Sequence, residues 1–588
     1  MSQLKTIGDY LRRYRTDGAS VRDVIQNCLK SAEVYDAHNI WITKADASFL
    51  EPYFRRLEGC DPSSLPLYGV PFAVKDNIDV AGMTTTAGCA EFAYVAEEHA
   101  FVVGQLIEAG AIPIGKANLD QFASGLVGTR SPYGEGINLF NPEYVSGGSS
   151  SGSALAVTAG IVPFSLGTDT AGSGRVPAAF GNIVGLKPTR GALSIRGVVP
   201  ACKSLDCVAI FAQNCEDAAR VYDLCSIRDE EDSYSRSKPF VKSFSGTFRF
   251  GVPRPDQLEF FGNGAYESLF WESVRNLESL GGIQCEIDFS PFMDTARLLY
   301  SGPWIAERYC GIKEFAQTRS DAMLDVTRGI VLSGANPSAV DAFEGFYRLA
   351  ELKRLSDRIL REVDMILTPT AGTIYRRDEI REEPLALNTN LGYYTNFMNL
   401  LDLSACAVPA GFTPEGLPFG VTLAAPAWSE HALIAIGAKL HRVAGFESGL
   451  IDVAASKSVV LAVCGAHMSG LPLNHELTAR GAKLVEKTST AALYRFFALE
   501  SFSPPRPGLV HVSEGGGMVQ VELWEIPSEN FGSFFNGVPS PLALGSLILN
   551  NGKIVKGFLC ESYAVEGAKE ITKLGGWRSY LSQSSAVL

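Results

Sequence analysis

The feature that most constrains this chain is a stretch of glycine and serine that runs directly into apolar structure. Residues 145–177 read VSGGSSSGSALAVTAGIVPFSLGTDTAGSGRVP. A flexible linker would explain the start of this stretch, but not the apolar helix and the second glycine-rich turn that follow. Dense glycine around isolated serines instead indicates backbone that approaches a ligand closely and exposes amide groups. Such amides can stabilise an oxyanion without a charged side chain.

Short apolar strands alternate with helices around this stretch, which predicts an α/β layered fold. Residues 226–245 are charged and rich in serine, and they predict an exposed connection. The predicted elements are strands at 69–74 and 111–115 and helices at 101–109, 153–159 and 430–443.

The pattern changes near residue 459, where short β-rich runs separated by Gly, Pro and Asn turns begin. These runs predict a small C-terminal domain of the α+β or barrel-like type. We therefore expect a larger domain at 1–445, a linker at 446–458 and a C-terminal domain at 459–588.

Composition narrows the classes of function. The formal net charge is −13, with Lys and Arg scattered along the chain, which argues against nucleic acid or an anionic membrane as the main partner. The longest uncharged stretch, residues 145–168, is rich in Gly and Ser, and its apolar part is too short to span a bilayer. The N-terminus lacks the apolar core of a signal peptide, so a cytoplasmic location is expected. The 12 cysteines are spread singly with no C-x-x-C, which predicts no metal site.

Ser150 is the centre of a G-x-S-x-G pattern, which is typical of the nucleophile elbow of α/β-hydrolases. Such an enzyme needs a histidine base, yet no histidine occurs between His99 and His431. His431 and His441 fall in a predicted amphipathic helix, where a structural role is the simpler interpretation. A Ser-His-Asp enzyme is therefore the less favoured alternative.

Lys75 is a candidate base because it directly follows an apolar strand. Burial of an ammonium group lowers its pKa, and a neutral lysine amine can then take a proton from a serine. The alternative is a structural lysine paired with Asp76 or Asp79. The catalytic interpretation depends on the serine-rich segments that accompany Lys75.

Together these segments resemble the amidase signature family. The motifs are KDN at 75–77, GGSSSGSALAV at 147–157 and GTDTAGSGRVPA at 167–178, and the spacing between them also fits. The resemblance covers roughly residues 1–445 and implies a mixed β-sheet wrapped by helices. It also implies Ser173 as the nucleophile, Ser149, with a cis peptide bond, as the bridging serine, and Lys75 as the base that later acts as the acid.

The resemblance further implies an oxyanion hole made of the backbone amides of Thr170, Ala171 and Gly172. Many members of the family have glycine where this chain has Ala171. Backbone donors do not depend on that side chain, although the methyl group narrows the loop.

Within the family, two segments resemble the allophanate hydrolases. ARLLYSGPWIAERY at 296–309 is similar to their substrate segment, and it implies that Tyr300 and Arg308 hold the substrate. Helix positions eight apart fall on one face, and Arg can bind a carboxylate through two parallel hydrogen bonds. NLDQFASGLVGTRSPYG at 118–134 implies that Gly125 lies against the substrate. The structural alternatives are an amphipathic helix for the first segment and a turn for Gly125.

The C-terminal domain gives a third point of resemblance. AVCGAHMSGLPLNHEL at 462–477 is similar to the start of the allophanate-hydrolase C-terminal domain, whose fold resembles γ-glutamyl cyclotransferases. It implies that His467 helps N-carboxycarbamate lose carbon dioxide, although a structural histidine is the commoner case for a lone residue after a strand. The roles of Asn474, His475, Arg506 and Glu561 stay open.

The resemblance thus implies hydrolysis of allophanate to ammonia and carbon dioxide, with no metal or organic cofactor. It also implies a homodimer and a functional link to urea carboxylase, with physical association left open. The alternatives are an amidase for another small amide such as malonamate, an amidotransferase of the tRNA-dependent type, which would need partner chains, and a C-terminal domain that serves only as a docking module.

Overall fold

The computed structural model of the chain describes residues 5–239, 247–444, 458–500, 502, 504–512, 514–535 and 537–585. The chain divides into two compact units, Met1–Gly449 and Leu450–Leu588. Apart from its last residue, the linker expected at 446–458 lies outside the described residues, so the predicted boundaries stay a prediction. None of the helices in the described ranges combines the length and the apolar character that crossing a bilayer requires.

The first unit is a mixed β-sheet with helices packed on it, as predicted. Its strands are β1 (Trp41–Lys44), β2 (Pro71–Lys75), β3 (Thr84–Thr85), β4 (Tyr94–Val95), β5 (Ile112–Ala117), β6 (Phe164–Asp169), β7 (Val184–Lys187), β8 (Cys207–Ala212), β9 (Phe248–Pro253), β10 (Gly282–Ile287), β11 (Met365–Pro369), β12 (Leu403–Phe412) and β13 (Pro418–Pro426). In the described part of the chain, eleven of these strands form one sheet in the order β1-β5-β2-β6-β8-β7-β12-β13-β11-β9-β10.

The helices of the first unit connect and cover these strands. They are α1 (Ile7–Arg15), α2 (Val21–Glu33), α3 (Ala47–Leu57), α4 (Phe101–Glu108), α5 (Ser151–Thr158), α6 (Val176–Phe180), α7 (Cys215–Cys225), α8 (Gly264–Ser279), α9 (Ser290–Ser301), α10 (Trp304–Gly311), α11 (Lys313–Thr318), α12 (Asp325–Ser333), α13 (Ala339–Leu360), α14 (Arg377–Glu382), α15 (Ala386–Leu391), α16 (Phe397–Leu400) and α17 (Glu430–Val443).

The centre of the sheet explains why the serine-rich stretch folds as it does. Strands β2, β5 and β6 are buried along their whole length, as expected for parallel strands covered on both faces. β2 pairs in parallel with both β5 and β6. The carboxyl ends of β2 and β6 therefore meet at one edge of the sheet, which is where ligands bind in folds of this type.

The local elements predicted around this edge are confirmed. The strands expected at 69–74 and 111–115 are β2 and β5, and the helices expected at 101–109, 153–159 and 430–443 are α4, α5 and α17.

The exposed connection expected at 226–245 is confirmed in its described part, residues 226–239, where most residues are exposed and none lies in a helix or strand. Asp229 and Asp232 are exceptions, since both are buried and their carboxylates lie 2.8 and 2.9 Å from the hydroxyl of Ser194. Their burial could not be read from the sequence, because the groups that these carboxylates contact lie in a distant loop. Residues 240–246 lie outside the described ranges.

The second unit is smaller and rich in β-structure, as predicted. Its strands are β14 (Ser458–Val463), β15 (Lys483–Ser489), β16 (Tyr494–Leu499), β17 (Arg506–His511), β18 (Gln520–Pro527), β19 (Leu542–Ile548), β20 (Ile554–Cys560) and β21 (Lys569–Glu570), and its helices are α18 (Asn474–Thr478), α19 (Ser528–Phe535) and α20 (Trp577–Ser585). Its described strands form sheets in the orders β15-β18-β14-β20-β19 and β17-β16-β21. The unit is of the α+β type with its own apolar core, and its likeness to γ-glutamyl cyclotransferases stays a prediction.

Candidate active site

Lys75 is the last residue of β2, and its side chain is fully buried. Its ammonium nitrogen donates to Ser149 Oγ at 2.8 Å and to Thr168 Oγ1 at 2.7 Å. Thr168 lies near the carboxyl end of the neighbouring strand β6. The parallel pairing of β2 and β6 thus brings the lysine and the serine loop together, although they are far apart in sequence.

The structural alternative for Lys75 is a pairing with Asp76 or Asp79, and neither pairing forms. Asp76 is paired with Lys116, which is also fully buried, at 3.0 Å. Asp79 instead accepts hydrogen bonds from Thr85 and Tyr94, each at 2.8 Å. In the part of the chain that the structure describes, Lys75 is therefore a buried amine without an ion-pair partner.

This buried environment brings the pKa of the Lys75 side chain close to neutral pH. Burial lowers the pKa of its ammonium group from 10.5 to about 7, because the charged form loses its hydration. The negative charges of Asp120 and Asp206 oppose this shift, and the positive charge of Arg308 adds to it. Near neutral pH the amine can therefore accept and return a proton.

Ser149 lies in a tight turn immediately before α5. The peptide bond between Gly148 and Ser149 is cis, and the Ser149 carbonyl accepts from the Asp120 amide at 3.0 Å. A Cβ atom on Gly148 would lie 2.2 Å from Asp120 Oδ2, so only glycine fits there. Ser150, the centre of the nucleophile-elbow pattern, instead bonds to the Thr168 carbonyl at 3.1 Å.

Ser173 lies in the loop that follows β6, and this loop is organised by Asp169. The Asp169 carboxylate accepts from the amides of Gly172 and Gly174 at 2.9 and 3.0 Å, and from two nitrogens of Arg175 at 2.9 Å each. Although burial alone would raise the pKa of Asp169, the Arg175 guanidinium lowers it below the ordinary value. The buried hydroxyl of Ser173 faces the Gly125 carbonyl at 3.5 Å.

The backbone amides of this loop are not equivalent. The amide of Gly172 already donates to Asp169, so it does not point into open space. In contrast, the amides of Thr170, Ala171 and Ser173 have no protein acceptor among the described residues. The Thr170 hydroxyl donates to the Asp206 carboxylate, which fixes the first residue of the loop.

Tyr300 and Arg308 do not share one helix, so the helical-face prediction is wrong. Tyr300 lies in the last turn of α9, and Arg308 lies in α10, because Gly302 and Pro303 interrupt the helix. Arg308 is buried, and its Nη1 donates to Ser124 Oγ at 2.9 Å and to the Ala123 carbonyl at 3.4 Å. The loop that carries Gly125 thus contacts this guanidinium directly.

The pKa of Arg308 is set by burial and by acidic groups that lie near its guanidinium. Burial alone would lower its pKa, but groups including Cys202, Tyr300 and Asp206 raise it above the ordinary value. Tyr300 is therefore electrostatically close to Arg308, although it lies on the preceding helix. In the described part of the chain, Arg308 uses only Nη1 for hydrogen bonds, which leaves its other N–H groups for a ligand.

Two buried carboxylates at the site were missed by the sequence analysis. Burial raises the pKa of Asp206 to about 6, and its carboxylate also accepts from the amides of Ala201 and Cys202. Asp120 is fully buried and accepts from the amides of Gly128 and Arg130 at 3.0 and 2.8 Å. The roles of these residues leave no local signal, because most of the groups that they hold are backbone amides, including those of Gly128 and Arg130 for Asp120.

His467 lies in the second unit, in the turn after β14, and its side chain is nearly buried. Its Nε2 is 3.0 Å from Glu476 Oε2, and its ring stacks on Phe558. Burial lowers the pKa of His467, and Glu476 opposes this shift. Of the other C-terminal candidates, Asn474 donates to the His467 carbonyl at 2.9 Å. No group of three or more potential metal ligands occurs in the described residues of either unit.

The chain matches known proteins along both units. Residues 23–434 match the family described as Amidase, and residues 459–582 match the allophanate hydrolase C-terminal domain. The chain is 38% identical to the solved structure of selenomethionine-substituted Kluyveromyces lactis allophanate hydrolase, with a TM-score of 0.72 over 98% of this chain and 99% of that one.

Two curated relatives show how far the similarity extends. Urea amidolyase of Saccharomyces cerevisiae is 43% identical over 96% of this chain, and the chain spans 32% of that protein. Urea amidolyase of Lachancea kluyveri is 41% identical over 95% of this chain, and the chain again spans 32% of that protein. Similarity to the urea amidolyases therefore extends through the C-terminal unit, although the chain spans only about a third of their length.

Proposed function

The chain belongs to the amidase family, and from this premise we propose that it hydrolyses allophanate through Ser173, Ser149 and Lys75. One observation carries the proposal: the fully buried Lys75 is hydrogen-bonded to Ser149 and has a pKa of about 7. An amine in this state can serve as a base without histidine. The C-terminal match to allophanate hydrolases and the buried Arg308 support allophanate as the substrate.

Acylation starts with a proton relay. Neutral Lys75 takes the proton of the Ser149 hydroxyl, and Ser149 takes the proton of Ser173 as its oxygen attacks the terminal carbamoyl carbon. Thr168 accepts an N–H of Lys75 and so orients the amine. The relay then runs in reverse, and the proton reaches the departing nitrogen, which leaves as ammonia.

The developing oxyanion is held by backbone amides of the nucleophile loop. Of the expected donors Thr170, Ala171 and Gly172, the amide of Gly172 is engaged by Asp169. We therefore assign the donors to Thr170, Ala171 and Ser173 itself, whose amides have no acceptor in the described chain. Asp169 and Asp206 hold the loop so that these donors need little rearrangement.

The substrate carboxylate binds at Arg308. Allophanate carries a carboxylate next to its amide, and the free N–H groups of the buried guanidinium can hold it through paired hydrogen bonds. Tyr300 lies near this charge, and Gly125 faces the Ser173 hydroxyl. A side chain at Gly125 would clash with Asp120 Oδ2 at 2.7 Å, so glycine keeps the space beside the nucleophile open.

Water then releases the acyl group as N-carboxycarbamate, and His467 of the second unit aids its decarboxylation. The overall products are ammonia and carbon dioxide, two of each. No metal or organic cofactor has a role in this scheme. A functional link to urea carboxylase, a homodimer and a cytoplasmic location belong to the same proposal.

The decisive experiment measures ammonia release from freshly prepared allophanate, with malonamate and acetamide in parallel. We expect Ser173→Ala to lose activity by about 10⁴-fold or more. Ser151→Ala is the matched control and should retain activity. Ser151 lies two residues after Ser149, and its hydroxyl donates to the Asn118 carbonyl at 3.5 Å. Activity on malonamate or acetamide but not on allophanate would refute the substrate while keeping the serine mechanism.

The role of the C-terminal unit needs a separate test. His467→Ala should release the first ammonia at the normal rate and delay the second. If both ammonia molecules appear together in this variant, and a pull-down with urea carboxylase fails instead, then the unit is a docking module.

A further inference from the structure

The ring of His467 is held in one orientation by aromatic neighbours. Phe558 stacks on it at a centroid distance of 5.3 Å and an interplanar angle of 9°, and Phe534 meets it edge-on at 5.3 Å and 72°. Both phenylalanines are themselves buried. The plane of the imidazole is therefore fixed, and each ring nitrogen faces a defined direction.

The two nitrogens of this ring have different surroundings. Nε2 lies 3.0 Å from Glu476 Oε2, whereas Nδ1 has no partner among the described residues. The backbone around the ring is also fastened, since Asn474 donates to the His467 carbonyl at 2.9 Å. Two residues further on, the amide and hydroxyl of Ser469 donate to the buried Glu522 carboxylate at 2.6 and 2.7 Å.

We propose that Glu476 is the positioning residue for His467, holding the proton on Nε2 so that Nδ1 is the atom that exchanges a proton with N-carboxycarbamate. The inference rests on the proposed function of the C-terminal unit and assigns a residue that its sequence did not indicate. A carboxylate that fixes the tautomer and orientation of an imidazole is the same device that serine proteases use.

The step is balanced as a decarboxylation with one proton transfer. The C–N bond to one carboxylate of N-carboxycarbamate breaks, its electron pair goes to the nitrogen, and carbon dioxide leaves. The nitrogen takes the proton from Nδ1 of the His467 imidazolium, which gives carbamate and neutral imidazole. Water returns a proton to Nδ1, and carbamate takes a second proton from water as its C–N bond breaks to give ammonia and carbon dioxide.

The charges around the ring explain why the carboxylate matters. Burial lowers the pKa of His467, and the nearby basic groups of Arg506 and His475 lower it further. Glu476 is the group that raises it, through both its hydrogen bond and its charge. Without Glu476 the imidazolium would be less populated at neutral pH, and the neutral ring could carry its proton on either nitrogen.

The first measurement follows His467 directly in the full chain by NMR with labelled histidine, using His467→Gln to assign its signals. In the wild type we expect the neutral ring to be protonated on Nε2. In Glu476→Gln the pKa of His467 should fall by about 1 pH unit, because a negative charge is lost at hydrogen-bonding distance. Glu566→Gln, an exposed glutamate of the same unit, is the control and should leave the pKa unchanged.

The second measurement follows the delay between the two ammonia molecules released from allophanate. We expect about a tenfold longer delay in Glu476→Gln, partial rescue in Glu476→Asp, and an unchanged release of the first ammonia. The assay is run at mildly alkaline pH, where spontaneous decarboxylation, which needs a proton on nitrogen, is slow. If Glu476→Ala does not fold, the Gln and Asp variants still test the inference.

The outcomes separate the inference from the function on which it rests. A delay in His467→Ala but not in Glu476→Gln, with the His467 pKa unchanged, overturns the role of Glu476 alone. No delay in His467→Ala removes the role of the C-terminal unit and the inference together, while leaving the serine mechanism intact. A delay in both, with the fall in pKa, supports the assignment.

Discussion

Replacing Lys75 by methionine should abolish amidase activity and at the same time make the protein more stable. The pKa of this fully buried lysine falls from 10.5 to about 7, and at about 1.4 kcal/mol per pH unit its burial costs about 4 kcal/mol at pH 7. The bonds to Ser149 and Thr168 return about 1 kcal/mol each. Methionine has a similar length and no charge, so the variant should gain about 2 kcal/mol.

The increase in the free energy of unfolding that we expect for Lys75→Met must also depend on pH. The folded pKa of Lys75 lies below its unfolded value, so between about pH 7 and 10.5 the unfolded chain binds more protons, and wild-type stability rises with pH. Methionine does not titrate. The stability difference between Lys75→Met and the wild type should therefore decrease by about 2 kcal/mol between about pH 7 and about pH 9. At the higher pH the two proteins should be equally stable.

Urea unfolding followed by tryptophan fluorescence, at both pH values, measures this difference. Lys116→Met is the matched control, because it removes a second buried lysine but leaves the buried carboxylate of Asp76 without its counter-charge. That variant should lose about 3–5 kcal/mol. A loss of stability in Lys75→Met at pH 7, or a gain that does not change with pH, would refute a near-neutral Lys75.

Three further substitutions test the site. Arg308→Met should lower kcat/KM for allophanate by about 100-fold through the loss of charge-assisted hydrogen bonds, with little change for acetamide; equal losses on both substrates would contradict carboxylate binding. Activity should fall as the pH drops through about 7, because Lys75 becomes protonated. Asp206→Asn should move this loss of activity to lower pH, because it removes a negative charge that raises the Lys75 pKa. A pH–rate profile of both proteins checks the direction. Gly172→Ala should lower kcat and the unfolding temperature, because this residue has φ of +134° and its Cβ would lie 2.4 Å from Thr395 Oγ1; wild-type values for both would show that the loop can move.

Local patterns predicted those parts of the site that depend on neighbouring residues. The apolar run before Lys75 predicted a buried strand, and the glycine-serine segments predicted tight backbone near Ser149 and Ser173. Both follow from backbone geometry and burial, which leave a signal in a few consecutive residues. The bond between Lys75 and Ser149 could be expected only through the family resemblance.

Parts of the site that depend on contacts between residues far apart in the sequence left no such signal. Asp206 contacts Thr170 across 36 residues, and Arg175 reaches Asn399 across 224. The break between Tyr300 and Arg308 was also missed, although Gly302 precedes a proline there, because the argument from helical spacing assumed one continuous helix. Polar residues of this kind are indistinguishable from surface residues until the fold places their partners.

The hydrogen bonds that the Asp169 carboxylate accepts in the nucleophile loop also affect how the rate of acylation depends on temperature. One carboxylate holds the amides of Gly172 and Gly174 and the Arg175 side chain, which in turn reaches the Thr395 carbonyl at 3.2 Å. The nucleophile loop is therefore ordered during folding, and this ordering does not recur in each catalytic cycle. The acylation barrier should consequently be mainly enthalpic. In a variant that lacks the hydrogen bonds to Asp169, the lower rate should result from a more negative activation entropy.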